Sequence, residues 1–92
     1  MGNDDILYIE TSTSPHKIVM YTYSQIIEFY GSITDFSNEL DARFRVIHRS
    51  RIVNVDKLKS INKRNKSLTL DNDITIYAST REFRKLINSM NV

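Results

Sequence analysis

Short apolar runs, each about the length of one strand, recur along this chain and constrain its fold more than any other feature. They are rich in β-branched and aromatic residues, which favour strands, and polar or turn-forming residues separate them. The runs cover residues 5–10, 17–23, 25–30, 51–55, 58–62, 67–70 and 74–79. Runs this short suit small antiparallel sheets joined by tight turns. We therefore expect a mainly β fold.

Two segments follow a helical pattern instead. Ser32 and Asp35 form a capping-box pattern ahead of apolar residues, which predicts a short internal helix from about Ile33 to Leu40. Ser79 and Glu82 repeat that pattern before a one-sided apolar stripe, which predicts a short amphipathic C-terminal helix. The stripe consists of Phe83, Leu86, Ile87 and Met90.

Positive charge is concentrated between Arg43 and Lys66, which hold nine of the thirteen Lys and Arg residues against one acid, Asp56. Apolar side chains are interspersed with these charges, so the segment can pack into a core and hold its basic groups on folded structure. We expect residues 44–50 to be a loop-rich approach to the strand at 51–55. Clustered positive charge is typical of proteins that bind a phosphate backbone, although a solvated basic face gives the same pattern.

The composition bounds the class of protein. With 92 residues the chain is long enough for one domain, spanning 1–92, in which we read residues 1–4 as linker. It contains no cysteine, so neither disulfides nor thiolate metal sites support the fold. It shows no signal-peptide pattern and no apolar run near the roughly 18 residues of a membrane span. We therefore expect a cytoplasmic protein with no membrane partner.

Catalytic chemistry is hard to assemble from these residues. The two glycines are too few for a glycine-rich phosphate loop, and no nucleophile motif or metal-ligand spacing is recognisable. We expect no enzyme activity, no cofactor, no metal site and no small-molecule substrate. The enzymatic alternative is a metal-independent ribonuclease in which His16 and His48 act as general base and general acid.

Candidate DNA-binding side chains lie mainly at three places along the chain. Arg can bond to guanine or to phosphate, whereas Lys, Ser and Thr mostly contact the backbone and His can do either. The three places are a loop before the second strand, the run 48–51, and the start of the C-terminal helix. The full set is His16, His48, Arg49, Ser50, Arg51, Lys57, Ser79, Thr80, Arg81 and Arg84. Further candidates for backbone contact are Arg43, Arg45, Lys59, Lys63, Arg64 and Lys66.

Aromatic residues offer a second kind of binding group, because they can stack on the bases of single-stranded nucleic acid. They lie within strand-forming runs, where packing into the core is the commoner role, so we expect core positions for them. The residues concerned are Tyr8, Tyr21, Tyr23, Phe29, Tyr30 and Tyr77.

Two motifs resemble the LytTR-type DNA-binding domain of bacterial response regulators, and most closely its accessory-gene-regulator, quorum-sensing type. The first is F-x-x-x-H-R-S-x-I-V-N at Phe44–Asn54, and the second is A-S-x-R at Ala78–Arg81. The resemblance implies an elongated stack of small antiparallel sheets that reads duplex DNA through loops in successive major grooves. By position it assigns contacts with base edges or flanking phosphates to His16, Arg49 and Arg81. Some relatives have Asn at the position of Arg49, which implies a different partner or target base there. Asn54 matches as well, and we expect it to organise a turn.

The resemblance also implies a biological setting. It suggests transcription regulation in a two-component system through promoter repeats in double-stranded DNA, on which two copies form a homodimer. The receiver domain of such regulators is absent from these residues. Family members usually carry further strands before the segment 5–10, so we expect that segment to form an exposed sheet edge able to pair with a second copy. A different class also fits the sequence, namely a β interaction module whose basic strip binds an acidic protein partner.

Overall fold

The computed structural model describes residues 5–90, and the expected linker at 1–4 lies outside them. The strands are β1 (Ile6–Thr11), β2 (Lys17–Thr22), β3 (Ile26–Tyr30), β4 (Phe44–His48), β5 (Arg51–Asn54), β6 (Leu58–Asn62), β7 (Ser67–Leu70) and β8 (Thr75–Tyr77). The helices are α1 (Ile33–Ser37) and α2 (Thr80–Met90), and a 3-10 turn covers Val55–Lys57. A five-stranded sheet has the order β3-β2-β1-β5-β4 and a three-stranded sheet has the order β6-β7-β8. All neighbouring strands are antiparallel, so the predicted class is confirmed.

Strand β1 lies in the middle of the five-stranded sheet, between β2 and β5. Its register with β2 shifts between Ile6 and Tyr8, and this bulge lets Leu7 and Tyr8 join the same hydrophobic cluster. Four consecutive residues, Ile6–Ile9, are buried as a result. The expected exposed edge at 5–10 is wrong, because β5 returns from later in the chain and pairs with the free side of β1. The edges of this sheet are β3 and β4.

Two hydrophobic clusters lie on the two faces of the five-stranded sheet. The first joins that sheet to β7, β8 and α2 through Leu7, Tyr8, Ile47, Val53, Leu68, Leu70, Ile76, Phe83 and Leu86. The second joins it to α1 through Ile6, Ile9, Ile18, Ile33, Phe44 and Ile52. Each fully buried Leu or Ile contributes roughly 1.5–3 kcal/mol relative to an exposed one. The five-stranded sheet is therefore the middle layer of a stack measuring 34 × 25 × 23 Å.

Strand β4 corrects the expectation that residues 44–50 are loop-rich. Its apolar side chains enter both clusters, since Phe44 packs on the side of α1 and Ile47 on the side of α2. The register with β5 shifts between Val46 and His48, which leaves Ile47 as the bulged residue. Burial on both faces and a bulge remove the simple alternation by which a strand is recognised.

Both predicted helices are present, and the first is shorter than expected. Helix α1 begins with Ser32 Oγ accepting a hydrogen bond from Asp35 N at 3.1 Å, as the capping box predicts, but it ends at Ser37. The Ser37 hydroxyl donates to the Thr34 carbonyl at 2.9 Å, and residues 38–40 form a turn. Leu40 still packs against the second cluster. No helix within residues 5–90 is long and apolar enough to cross a membrane.

The loops gather at two ends of the molecule. Three backbone hydrogen bonds tie together the end that we call the loop end: Thr11 N to Ser50 O at 2.9 Å, Ser79 N to Ile47 O at 2.8 Å, and Ala78 N to Lys66 O at 3.0 Å. The loop end comprises residues 12–16, 49–50, 63–66 and 78–81. The opposite end comprises residues 23–25, 55–57 and 71–73, joined by Asp71 N to Lys57 O at 2.9 Å.

The aromatic residues divide between core and surface. Tyr8 is buried, and Tyr21 and Phe29 are half-buried, as expected. Tyr23, Tyr30 and Tyr77 are instead 49%, 76% and 55% exposed, so the core assignment is wrong for them. They occupy a turn, the end of edge strand β3 and edge strand β8, at the margins of the two sheets.

Candidate nucleic-acid interface

His16 ends the loop between β1 and β2 and is exposed at the loop end. Its φ of 62° lies in the left-handed region, where His is tolerated better than most residues. Its carbonyl accepts a hydrogen bond from Gly31 N at 2.9 Å, and the start of the loop is closed by Ser12 N donating to Lys17 O at 3.0 Å. The loop is therefore held at both ends while the imidazole faces solvent.

The turn between β4 and β5 consists of Arg49 and Ser50. Ser50 Oγ lies 2.8 Å from His48 Nδ1, and Ser50 N donates to the same ring nitrogen at 3.2 Å. Because a backbone N–H can only donate, His48 Nδ1 is the acceptor and its Nε2 carries the ring proton. The Ser50 hydroxyl thus shapes the turn, and Arg49 projects from it, exposed to solvent.

The third candidate segment, 78–81, is hydrogen-bonded to β4 and contains the first residues of α2. Ser79 N donates to Ile47 O at 2.8 Å, and Ser79 Oγ caps the helix by accepting from Glu82 N at 3.3 Å. This leaves Thr80 and Arg81 exposed on the first helical turn. A cleft of about 280 Å³ lies between this segment and the preceding turn. It is lined by Val46, His48, Arg49, Ser79, Arg81 and Glu82.

Arg51 has a different position from the other candidates. Its Nε donates to Glu10 Oε2 at 3.2 Å and its Nη1 donates to the Tyr77 carbonyl at 3.0 Å. The guanidinium therefore bridges β1 in one sheet and β8 in the other. Because β8 leads directly into residues 78–81, Arg51 braces the segment that carries Arg81.

Two tyrosines pack behind this bridge. The Tyr8 and Tyr21 rings stack with centroids 4.3 Å apart, and the Tyr21 hydroxyl donates to Glu10 Oε1 at 2.8 Å. Burial raises the pKa of the Tyr21 phenol well above its usual value, and the hydrogen bond to Glu10 and its charge add to this. Burial, followed by the charge of Glu10, also raises the pKa of Tyr8. Both phenols therefore stay protonated at neutral pH.

Two predicted contacts lie outside the loops that carry His16, Arg49 and Arg81. Lys57 is at the opposite end, with its Nζ 5.2 Å from the centre of the Tyr23 ring. Arg84 is exposed on the second turn of α2, beside the tip of the β6–β7 hairpin. The structure thus brings His16, Arg49 and Arg81 to one end and leaves Lys57 away from it.

Other cations are divided between paired and unpaired groups. Arg43 contacts Asp41 at 2.9 Å, Arg45 donates to Ser89 at 3.0 Å, and Lys59 contacts Asp73 at 2.5 Å. Lys63, Arg64 and Lys66 form the tip of the β6–β7 hairpin at the loop end. Sequence reasoning placed them at a hairpin tip, but the spatial link from Lys66 to Ala78 has no local signal.

Asn54 has the structural role expected for it. Its Nδ2 donates to the Ile6 carbonyl at 2.8 Å, and its Oδ1 accepts from Asp56 N at 3.1 Å. The side chain is fully buried and caps the 3-10 turn that follows β5. Among residues 5–90, no group of three or more His, Asp or Glu side chains is arranged to hold a metal ion.

Comparison with known proteins finds similarity along most of the chain. Residues 2–91 match the family model of the LytTr DNA-binding domain. Over 83 residues, 90% of this chain, the sequence is 35% identical to accessory gene regulator protein A of Staphylococcus aureus strain N315. It is 31% identical over the same share to the protein of that name from Staphylococcus epidermidis. The chain spans 34% of the length of each of these relatives.

A solved structure has the same fold. It is the LytTr DNA-binding domain of a Bacillus cereus protein named as a putative methyl-accepting/DNA response regulator. The superposition has a TM-score of 0.86 and covers 97% of this chain and 84% of that one. At 22% sequence identity, this likeness concerns the fold alone.

Proposed function

This chain belongs to the LytTr DNA-binding domain family, and on that premise we propose that it binds double-stranded DNA sequence-specifically within a bacterial transcriptional regulator. The observation that carries the proposal is the meeting of separate loops at the loop end. These loops present the exposed side chains of His16, Arg49 and Arg81. Within residues 5–90 none of the three makes a side-chain hydrogen bond or ion pair, so each is available to a ligand.

The chemistry of these side chains suits base reading in the major groove. An Arg guanidinium can donate two parallel hydrogen bonds to guanine O6 and N7, or to a phosphate. We assign such contacts to Arg49 and Arg81, and a base-edge or phosphate contact to His16. The longest dimension of the molecule is 34 Å, and one turn of B-DNA is about 34 Å. A domain lying with this dimension along the duplex would span one helical turn, which is the spacing of successive major grooves.

The wider setting belongs to the same proposal. Similarity to accessory gene regulator protein A supports a role in gene regulation. We extend this to a response regulator of a two-component system that acts in quorum sensing in the cytoplasm. Two copies would bind as a homodimer on promoter repeats. Size-exclusion chromatography with light scattering would test this by measuring the mass of the complex between the domain and a duplex that carries one or two repeats. Binding of only one copy of the domain to a two-repeat duplex would contradict it.

We also propose that the domain has no catalytic activity. His16 and His48 remain the pair that a ribonuclease would use, so incubation with structured and single-stranded RNA is the direct test. Cleavage that disappears in a His48→Ala variant would contradict the proposal.

The proposed function is tested by the salt dependence of binding to two duplexes. One duplex is selected from a randomised pool, and the other is a scrambled sequence of the same composition. If about six phosphates are neutralised, the logarithm of affinity should fall with the logarithm of salt concentration at a slope of about −5. The selected duplex should bind more tightly at every salt concentration. Equal affinity for both duplexes would favour the acidic-partner alternative, and a flat salt response would contradict DNA binding.

A further inference from the structure

A second group of cations lies beside the side chains of His16, Arg49 and Arg81, where the hairpin tip of the loop end meets α2. The β6–β7 hairpin tip approaches α2, and together they enclose a cleft of about 220 Å³. Lys63 and Lys66 line it from the hairpin, and Arg84 and Asn88 line it from the helix. Phe83 and Ile87, which pack in the first hydrophobic cluster, also line it. Its charged lining residues within 5–90 are therefore all basic.

The three cations of this cleft are unpaired. Within residues 5–90, the side chains of Lys63, Lys66 and Arg84 make no hydrogen bond, ion pair or ring contact. By contrast Arg43, Arg45 and Lys59 are engaged with Asp41, Ser89 and Asp73. Like charges that line one cleft without a counter-charge disfavour one another, so an anion bound there would be favoured electrostatically.

The hairpin tip is rigidly built and holds Lys66 in an unusual conformation. Asn62 Oδ1 accepts hydrogen bonds from the backbone N–H of Arg64 at 3.0 Å and of Asn65 at 3.3 Å. The φ of Lys66 is 56°, in the left-handed region that Gly or Asn occupies more readily. A lysine at this place strains the backbone, and within residues 5–90 its side chain makes no hydrogen bond or ion pair that would compensate. Such a conformation is a reason to look for a functional role.

The cleft is continuous with the reading surface. Lys66 O accepts the hydrogen bond from Ala78 N at 3.0 Å, so the hairpin is fixed to the segment that ends in Arg81. Arg84 follows Arg81 by three residues and lies on the same side of α2, one turn further on. A DNA strand whose bases are read at Arg81 would therefore bring its backbone close to the hairpin tip.

We propose that Lys63, Lys66 and Arg84 form a clamp for a phosphate of the DNA backbone. The inference rests on the proposed function and adds to it a contact that carries no base specificity. Two lysines, an arginine and an asparagine line the cleft, and their ammonium, guanidinium and amide groups can together donate to the several oxygens of a phosphate. The clamp positions the duplex while His16, Arg49 and Arg81 read it.

The test compares two triple variants of equal charge. The clamp variant is Lys63→Gln, Lys66→Gln and Arg84→Gln, and its matched control is Arg43→Gln, Arg45→Gln and Lys59→Gln. Affinity is measured over a range of salt on the selected and the scrambled duplex. The clamp variant should bind both duplexes more weakly by the same factor, and its salt slope should be smaller by about 0.9 for each phosphate that it no longer neutralises. Charge alone made the three control cations candidates for backbone contact, but the structure shows them engaged with Asp41, Ser89 and Asp73. The control should therefore keep the wild-type slope.

A single variant separates binding from folding. Lys66→Gly removes the strained backbone of a non-glycine residue, so its melting temperature should equal or exceed that of the wild type. Its affinity for both duplexes should nevertheless fall. Unchanged affinity and slope in the clamp variant, or an equal reduction in the control, would overturn the clamp. A reduced slope without any preference between duplexes would retain the clamp and overturn sequence-specific reading, and no DNA binding at all would overturn both.

Discussion

Arg49 and Arg51 lie two positions apart in the chain, and the fold gives them opposite surroundings. The Arg49 guanidinium is exposed and, within residues 5–90, unpaired, whereas that of Arg51 is held by Glu10 and the Tyr77 carbonyl. Charge alone makes both arginines candidates for DNA contact. Only the three-dimensional structure shows that one of them bridges two sheets.

We expect Arg49→Gln and Arg51→Gln to change different quantities. Arg49→Gln should weaken binding to the selected duplex by about 1–3 kcal/mol, because glutamine cannot form the bidentate hydrogen bonds of a guanidinium with guanine. Arg51→Gln should lower the free energy of unfolding by about 1.5 kcal/mol, because it removes charge-assisted hydrogen bonds at a partly buried site. Urea denaturation and fluorescence anisotropy measure the two effects. Weak binding by a fully stable Arg51→Gln variant would show instead that Arg51 contacts DNA.

The surroundings of a single residue could be predicted where that residue belongs to a recognisable sequence motif. The segments containing Arg49 and Arg81 follow recognisable patterns, and the capping serines follow from spacing alone. The bridging role of Arg51 was not predictable, because its partners Glu10 and Tyr77 are 41 and 26 residues away along the chain. The exposed Tyr30 was missed for a related reason, since its run looks like any strand until β3 is known to be an edge.

At the scale of elements, the start of α2 combines a helix cap with the DNA contact that we propose for Arg81. Ser79 caps the helix through Glu82 N and ties it to β4 through Ile47 O. The cap fixes the first helical turn, and this turn carries Arg81. The positive end of the helix dipole at this place also favours an anion nearby.

Two substitutions of Ser79 should separate these effects. Ser79→Ala should lower the free energy of unfolding by about 1 kcal/mol, because it removes the N-cap hydrogen bond. Ser79→Asp keeps a cap, so stability should be close to that of the wild type, but the added negative charge should weaken DNA binding. Thermal denaturation and anisotropy on the same samples check both. Undiminished affinity of a stable Ser79→Asp variant would argue that DNA does not approach this helix end.

Most elements could be predicted because their patterns are local. Strands such as β8 alternate between faces, and α2 shows its stripe at helical spacing. Strand β4 was missed because its side chains serve both hydrophobic clusters and its bulge at Ile47 breaks the period. Helix α1 stopped early at Ser37, where a side-chain bond to the backbone replaces the next helical turn.

At the scale of the whole molecule, the packing of the two sheets depends partly on two tyrosine side chains whose phenol groups are uncharged. Tyr8 and Tyr21 pack between β1, β2 and the Glu10–Arg51 bridge, and burial raises the pKa of both. In the unfolded chain a tyrosine loses its proton near pH 10. Above that pH the unfolded chain holds fewer protons than the folded one, so stability falls as pH rises.

Tyr21→Phe should therefore change how steeply the free energy of unfolding declines at alkaline pH. The free energy of unfolding of the wild type should decline above about pH 10, and that of the variant should decline less steeply because it lacks one phenol of raised pKa. At neutral pH the variant should be somewhat less stable, since it lacks the hydrogen bond to Glu10. Urea denaturation at a series of pH values measures this. Identical declines in both proteins would mean that Tyr21 is not responsible.

The meeting of distant loops was the least predictable feature. Residues 16, 49, 66 and 81 come together only through the register of the five-stranded sheet and through hydrogen bonds such as Thr11 N to Ser50 O. No local pattern encodes these pairings, whereas family resemblance predicted three of the four positions as DNA contacts. The position of Lys66 beside α2 could be found only from the three-dimensional structure.

The most direct measurement is the binding of Arg81→Ala to the selected and scrambled duplexes, with Lys85→Ala as the matched control. Lys85 lies on the same helix and is paired with Glu82 at 3.5 Å. Arg81→Ala should cost about 1–3 kcal/mol on the selected duplex and much less on the scrambled one, while Lys85→Ala should leave the preference unchanged. An equal reduction on both duplexes would contradict sequence reading at the loop end.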